Sequence, residues 1–277
     1  MTLTVRPVSG SIGAFVDGVD LGDLDDAAMV ELRRAWLDHL VLFFRDQDLT
    51  PDQFSRFARR FGEPARYPFL PGIDGHPEII EVLKQPHELV NFGGIWHSDS
   101  AYLDRPPMAS MLLAREVPAV GGDTEFASGY AAYAALSEGL RAMLDQLEAV
   151  HSSARADVSK TREDRLADLG DTGGGPKLDF ASVHPVVRTH PETDRRALYV
   201  NIAHTERFSG WTEEESRPLL EYLFAHQVRE EFTCRFRWEV GSLAVWDNRC
   251  ALHNPINDYQ GQLRRMHRIT LEGDVPI

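Results

Sequence analysis

The chain has 277 residues, 43% of them hydrophobic and 26% charged, and a formal net charge of −14 at pH 7. That length can bury a sizeable core, and we expect residues 1–277 to form a single domain. The acidic balance argues against nucleic acid and anionic membranes as partners, because both bind through clustered Lys and Arg.

The two cysteines are too few for a disulfide scaffold. The N-terminal residues lack the basic and apolar regions of a signal peptide, and no apolar run approaches the length of a membrane span. We therefore expect reduced cysteines and a cytoplasmic protein.

Four segments carry the apolar spacing of amphipathic helices. They span residues 26–40, 50–62, 137–148 and 212–226. The second begins with Thr50 as N-cap, Pro51 at the first helical position and Gln53 closing a capping box. Pro218 is expected to kink the last helix or delay its start.

Short apolar or alternating runs predict strands. They span residues 41–45, 111–117, 196–201, 233–240, 242–247 and 267–273. Because a single glycine separates TCRFRWEV from SLAVWD, we predict that these two strands form a hairpin. Long helices come mainly first and strands dominate later, which favours a β-sandwich or barrel buttressed by helices.

Residues 152–182 interrupt this pattern with a stretch rich in Arg, Asp and Gly. Its glycines lack the spacing and the Gly-Lys-Ser/Thr ending of a phosphate-binding loop. Long loops in compact domains are often functional, so we predict an active-site lid here.

The motif WHSD places His97 and Asp99 two residues apart, so both project from one side of an extended segment. Two histidines and one carboxylate on one face of a metal are typical of mononuclear iron sites for oxygen chemistry. A distant histidine must supply the third ligand. Among eleven histidines, His253 is the candidate by context, because it follows a strand and the turn NRCA.

Arg264 and Arg268 point to the same side if their segment is a strand. Such a pair in an acidic protein suits a small anion, because Arg binds carboxylates bidentately. Surface salt bridges to Asp or Glu would explain the pair equally well.

Four separated motifs together resemble the Fe(II)/2-oxoglutarate dioxygenases of the taurine dioxygenase and phenoxyalkanoate dioxygenase family. They are WHSD (96–99), GGDT (121–124), WDNRCALH (246–253) and RRMHR (264–268). The similarity also includes FFRDQ (43–47), RFGE (60–63), HPVVRTHP (184–191) and LYVN (198–201), and it is weakest in residues 64–90 and 152–182.

The resemblance implies a double-stranded β-helix, or jelly roll, mainly β with flanking helices. It implies that His97, Asp99 and His253 bind Fe(II), and that Thr124 and Arg264 hold the distal carboxylate of 2-oxoglutarate. It also implies O₂ as cosubstrate. The presence of Asp99 separates the chain from family-like halogenases, which give up this carboxylate.

The position of Arg268 matches the arginine that binds the anionic group of the substrate in members acting on acids. Taurine itself is not expected, because Tyr67 stands where taurine users have histidine and His204 where they have phenylalanine. Tyr67, Tyr102, His204 and Arg268 are therefore our candidates for substrate contacts. The expected substrate is a small organic acid: a carboxylate, a sulfonate or a sulfate ester.

The expected reaction is hydroxylation, in some cases followed by fragmentation, with succinate and CO₂ as coproducts. Desaturation or oxidative rearrangement remains an alternative, as do a non-catalytic β-barrel binding module and a zinc hydrolase on the same ligands. We also expect a homo-oligomer, either a dimer or a tetramer.

Overall fold

A computed structural model describes residues 3–67, 70–91, 93–155 and 180–277 of the chain. The α-helices in these ranges are α1 (Asp26–His39), α2 (Pro51–Phe61), α3 (Gly129–Ala134), α4 (Glu138–Leu144) and α5 (Glu213–Gln227). The strands, in chain order, are β1 (Thr4–Pro7), β2 (Ala14–Asp17), β3 (Val41–Phe44), β4 (Pro64–Ala65), β5 (Ile80–Lys84), β6 (Ala109–Glu116), β7 (Thr124–Ser128), β8 (Glu148–Ser152), β9 (Ala181–Pro185), β10 (Val187–Thr189), β11 (Arg196–Leu198), β12 (Thr205–Phe208), β13 (Thr233–Phe236), β14 (Leu243–Asp247), β15 (Ala251–Pro255) and β16 (Arg264–Leu271).

Two facing sheets build the jelly roll that the sequence predicts. The larger sheet runs in the order β1-β2-β3-β14-β6-β16-β4, with β5 also paired to β16, and the smaller is β13-β7-β15. Aromatic side chains fill the space between them. Phe43 of β3 stacks on Phe236 of β13 at 4.2 Å, and Phe126 of β7 packs on Trp246 of β14 at 5.7 Å.

The other face of the larger sheet is covered by α1 and α2. Strands such as β3 are therefore buried on both faces and appear in the sequence as continuous apolar runs. In β16, Ile269 and Leu271 join the core on the helix side, whereas Met266 faces the smaller sheet. Arg264 and Arg268 share the parity of Met266, so both guanidinium groups point between the sheets.

The predicted hairpin of residues 233–240 and 242–247 is wrong. The first strand, β13, pairs with β7 in the smaller sheet, whereas β14 lies between β3 and β6 in the larger one. Both edges of β14 are occupied, so it has no edge left for β13. The chain instead turns at Gly241, which has a φ of 78°, and crosses from one sheet to the other.

The helix boundaries differ from prediction in two places. Helix α5 begins at Glu213, directly after its Thr212 cap, so Pro218 lies inside it without delaying its start. Helix α4 ends at Leu144, because the chain must already enter β8 at Glu148.

The predicted lid falls largely on residues 156–179, which lie outside the described residues. Its described ends belong to β8 and β9, which pair antiparallel. Both cysteines are free and buried. Among the described helices, none combines the length and the apolar character needed to cross a bilayer.

Candidate active site

His97 and His253 are held side by side by their own main chains. The amide of each donates to the carbonyl of the other, at 3.0 and 2.8 Å, and this reciprocal pair joins the WHSD segment to β15. The two imidazole rings lie 4.0 Å apart between centroids. Asp99 follows two residues after His97, so its carboxylate reaches the same point.

The three side chains converge through one atom each. Asp99 Oδ1 lies 3.6 Å from Nε2 of His97 and 3.7 Å from Nε2 of His253. All three residues are buried. A cluster of two histidines and one carboxylate, with ligand atoms within 4.8 Å of one another, has the donor set of a divalent metal site.

Protonation of the histidines suits metal binding. His97 Nδ1 donates to the carbonyl of Ile95 at 2.7 Å, so in the neutral imidazole the lone pair is on Nε2, which faces Asp99. Burial, together with the neighbouring His97, holds the pKa of His253 well below its usual value, so its imidazole is neutral. The residues therefore fit a metal ion on the faces that they share.

The second oxygen of Asp99 is already occupied. Oδ2 accepts a hydrogen bond from Ser110 Oγ at 2.5 Å and forms an ion pair with Arg268 Nη2 at 2.6 Å. Burial alone would raise the pKa of Asp99, but the charge of Arg268 and the adjacent histidines hold it well below the usual range. Asp99 is therefore a carboxylate with only Oδ1 open toward the histidines.

Gly93 is a functional residue whose role the sequence did not reveal, although it belongs to the glycine pair before WHSD. It has a φ of +73°, and a Cβ at this position would lie 2.9 Å from Cε1 and 3.1 Å from Nε2 of His97. Both the backbone conformation and the close approach to the imidazole require glycine.

A small cavity of about 40 Å³ opens beside the three residues, between the two sheets. Its lining includes His97, His253, Thr124, Arg264 and Arg268. The structure thus brings together the predicted metal ligands, both arginines and the threonine of GGDT. Their individual roles stay predictions.

Thr124 and Arg264 are ready to bind an anion in this cavity. Thr124 Oγ1 accepts the indole N–H of Trp238 at 2.9 Å, so its own hydroxyl proton is free to donate elsewhere. Arg264 is buried, and its Nε and Nη2 find no hydrogen-bond partner among the described residues. Burial lowers the pKa of Arg264, which indicates a desolvated cation that a carboxylate would stabilise.

Arg268 lines this cavity and packs on a residue of a second cavity, which has a volume of about 290 Å³. Its guanidinium carbon lies 5.8 Å from the ring centroid of Tyr67, which lines the second cavity together with Ser100. Arg268 pairs with Asp99, as described above, but its Nε has no partner among the described residues. That remaining donor is available to an anion in the first cavity, which Arg268 lines.

The other two candidates for substrate contact lie behind His97. His204 is buried and packs edge-on against His97 at 6.1 Å and Tyr102 at 5.0 Å. Tyr102 also stacks on Phe180 at 6.2 Å. Neither residue lines the two cavities. His204 packs against His97 of the WHSD segment instead, and Tyr102 packs against His204.

A second cluster of potential ligands serves the fold. His190, Asp247 and Cys250 lie close together, but both oxygens of Asp247 are bound by Arg249 at 2.8 and 2.7 Å, and His190 adds a contact at 3.0 Å. No Asp247 oxygen faces an open position. This buried network fixes the turn that leads from β14 to His253.

Comparison with known proteins decides the family. The family model described as "Taurine catabolism dioxygenase TauD, TfdA family" matches residues 4–270. The chain belongs to this family. Among TauD/TfdA relatives, the alpha-ketoglutarate-dependent sulfate ester dioxygenase of Pseudomonas putida is 37% identical over 286 residues, covering 100% of this chain and 92% of that protein.

Two further TauD/TfdA relatives agree. The (S)-phenoxypropionate/alpha-ketoglutarate-dioxygenase of Sphingobium herbicidovorans is 34% identical over 281 residues, covering 98% of this chain and 95% of that protein. The protein in the crystal structure of AAD-2 in complex with Mn(II) and N-oxalylglycine is 30% identical in sequence to this chain. The two structures superimpose with a TM-score of 0.82, covering 100% of this chain and 99% of that one.

The predicted fold, enzyme type and cofactors are therefore confirmed. The chain is a 2-oxoglutarate-dependent dioxygenase of the TauD/TfdA family that uses Fe(II), 2-oxoglutarate and O₂. Membership also removes the zinc hydrolase and the non-catalytic module from consideration.

Proposed function

We propose that His97, Asp99 and His253 hold Fe(II) as a facial triad. The observation that carries this proposal is the convergence of Asp99 Oδ1 with both Nε2 atoms at 3.6 and 3.7 Å. Three protein ligands on one side leave the opposite positions of an iron ion open. Bound Fe(II) would enable O₂ to oxidise a substrate C–H bond, while 2-oxoglutarate would supply the other two electrons as it is oxidised to succinate and CO₂.

We propose that Arg264 and Thr124 bind the distal carboxylate of 2-oxoglutarate. Two buried guanidinium nitrogens have no partner within the described part of the chain, and together with the hydroxyl proton of Thr124 they form a donor set for one carboxylate. Trp238 fixes the direction of the Thr124 hydroxyl by donating to its oxygen. These residues orient the cosubstrate and keep water from its anionic end.

Arg268 is proposed to bind the anionic group of the substrate through its Nε, which has no partner among the residues that the structure describes. Tyr67 packs on the same guanidinium and would shape the second cavity around the rest of the substrate. Arg66 and Arg105 also line that cavity and add positive charge in a protein of net charge −14. Tyr102 and His204 are proposed to act from behind His97, by limiting how the substrate approaches.

The substrate class that this arrangement supports is a small sulfate ester, sulfonate or carboxylate, in keeping with the relatives named above. Hydroxylation of the carbon that bears a sulfate ester oxygen would yield a product that breaks its C–O bond, giving an aldehyde and hydrogen sulfate. Desaturation, which removes two hydrogens without adding oxygen, is the second candidate outcome.

We also propose that residues 1–277 act as one catalytic domain, that the protein is a dimer or tetramer, and that it works in the cytoplasm on small molecules. The free state of Cys234 and Cys250 supports the reducing compartment. The acidic charge supports the absence of nucleic acid and membrane partners.

The test is a screen of sulfate esters, sulfonates and phenoxyalkanoates, each matched with a neutral analogue of the same carbon skeleton and scored by succinate formation. Anions are expected to turn over and neutral analogues are not. Arg268→Met should abolish this preference, whereas Arg265→Met, on the exposed face of the same strand, should retain it. Equal turnover of neutral analogues by the wild-type enzyme would contradict the role of Arg268.

Product mass separates the two reactions. A gain of one oxygen, or the fragments of that product, indicates hydroxylation, whereas a loss of two hydrogens indicates desaturation.

Anaerobic protein given Fe(II) and 2-oxoglutarate should also develop a visible charge-transfer band. A protein that binds the metal without this band would contradict the assignment of the cosubstrate site.

A further inference from the structure

A chain of three buried hydrogen bonds ends on the metal-site carboxylate. Trp246 Nε1 donates to Asn248 Oδ1 at 2.9 Å, Asn248 Nδ2 donates to Ser110 Oγ at 3.0 Å, and Ser110 Oγ donates to Asp99 Oδ2 at 2.5 Å. Ser110, Asn248 and Asp99 are all buried, so water does not compete for these groups. Of the four residues in this series of hydrogen bonds, Asp99 is the one proposed as a metal ligand.

The direction of each hydrogen bond is fixed by the chemistry of the first donor. An indole N–H can only donate, so it determines which end of the Asn248 amide is the oxygen. The Asn248 NH₂ group then faces Ser110 and must donate to its oxygen. With that lone pair engaged, the single proton of Ser110 goes to Asp99.

Asn248 also ties together the segments that carry these groups. Its main-chain carbonyl accepts a hydrogen bond from Ser98 Oγ at 2.7 Å, and Ser98 lies between the two proposed ligands of the WHSD segment. Its main-chain N–H donates to the carbonyl of Met108 at 3.0 Å. Met108 directly precedes β6, which contains Ser110. The side chain and main chain of Asn248 thus set the distance between the ligand loop and β6.

We propose that Ser110 and Asn248 are positioning residues that fix Asp99 as a metal ligand through one oxygen only. By holding Oδ2, Ser110 keeps the carboxylate from turning to offer both oxygens, and Oδ1 stays on the histidine side. Arg268 holds the same oxygen but must also serve the substrate, whereas Ser110 has no second task. This inference rests on the proposed role of Asp99 as an iron ligand.

The test measures metal binding rather than turnover. Metal-free protein is titrated with Co(II), and affinity is read by calorimetry and coordination by the visible absorption of the bound ion. Loss of a hydrogen bond to a ligating group typically costs about 10- to 100-fold in metal affinity, and Ser110→Ala is expected to lose that much. Its bound Co(II) spectrum should also change, because Asp99 can then offer both oxygens.

Two further variants separate positioning from packing. Asn248→Asp keeps the shape but replaces the NH₂ donor by an acceptor, which draws the Ser110 proton away from Asp99. It should therefore weaken Co(II) as much as Ser110→Ala. Ser110→Thr keeps the hydroxyl and should retain most of the wild-type affinity for Co(II). If Ser110→Ala fails to fold, the contrast between Asn248→Asp and Ser110→Thr still decides.

Ser216→Ala is the matched control, because Ser216 is equally buried and both donates and accepts a hydrogen bond, but lies in α5 away from the site. It should lower the melting temperature without changing Co(II) affinity. Unchanged affinity and spectrum in folded Ser110→Ala would overturn the proposal. A wild-type protein that binds no metal would instead contradict the proposed iron site itself.

Discussion

Replacing Arg264 by methionine should change cosubstrate binding and stability in opposite directions. In the absence of an anion, Arg264 is a buried cation whose Nε and Nη2 have no partner among the described residues. Each unsatisfied buried donor costs about 1–3 kcal/mol, so the variant without 2-oxoglutarate should be more stable by at least about 1 kcal/mol. For a chain of this size, that corresponds to a rise of about 2–4 °C in melting temperature.

The same substitution removes the cation that is proposed to bind 2-oxoglutarate. Truncating one partner of a buried, hydrogen-bonded charge pair costs about 2–5 kcal/mol, which is a loss of about 30- to several-thousand-fold in affinity. Ligand binding raises the melting temperature according to its affinity, so the wild-type protein should gain stability from 2-oxoglutarate and the variant should gain little.

The assay is thermal unfolding of metal-loaded protein with and without 2-oxoglutarate, with calorimetry for the dissociation constant. Arg265→Met is the control, because Arg265 is the next residue of β16, is exposed, and within the described ranges pairs with half-exposed Glu116 at 3.4 Å. It should behave as the wild type. A destabilised Arg264→Met variant, or one that keeps its stabilisation by 2-oxoglutarate, would refute the account of Arg264.

Three other substitutions test separate parts of the site. Gly93→Ala should weaken Co(II) binding by tenfold or more in titrations, because the new methyl group would press on His97 at 2.9 Å; wild-type affinity would show that the loop can move aside. Trp238→Phe removes the donor to Thr124 and should weaken 2-oxoglutarate several-fold by calorimetry without altering metal affinity. Asp247→Asn breaks a buried ion pair and should lower the free energy of unfolding by about 3–5 kcal/mol at neutral pH, measured in urea. The pKa of Asp247 is held below its usual range although burial opposes this, so its contribution is lost as pH falls, and the gap between Asp247→Asn and wild type should narrow below about pH 4.

The sequence could predict the parts of the site that lie in short, ordered motifs. The spacing of His97 and Asp99 predicted two metal ligands on one side of their segment. The even spacing of Arg264 and Arg268 predicted that both side chains point to the same side of their strand. Both follow from local geometry, which a strand imposes without reference to the rest of the fold. The candidate His253 needed its context in the chain, because only the sheet pairing brings it beside His97.

The parts that could not be predicted depend on contacts between distant segments. The hairpin was predicted from a single separating glycine, but β14 had both edges filled by β3 and β6. Ser110 gave no signal, because a serine within an apolar strand is common and its partner Asp99 is fixed only by tertiary packing. The pairing of Arg268 with Asp99 was missed for the same reason.

The two arginines of β16 are electrostatically different, and this difference bears on the order of binding. Arg264 makes no ion pair with any described carboxylate, whereas Arg268 already pairs with Asp99 at 2.6 Å. An incoming anion therefore gains a full charge interaction at Arg264 but must share Arg268 with Asp99. The cosubstrate carboxylate should accordingly enter first, at Arg264. A substrate anion at Arg268 would bind Nε, which has no partner among the described residues. Any shift of the guanidinium would then change its contact with Oδ2 of Asp99, so the proposed substrate site and the proposed metal site would be coupled through this one side chain.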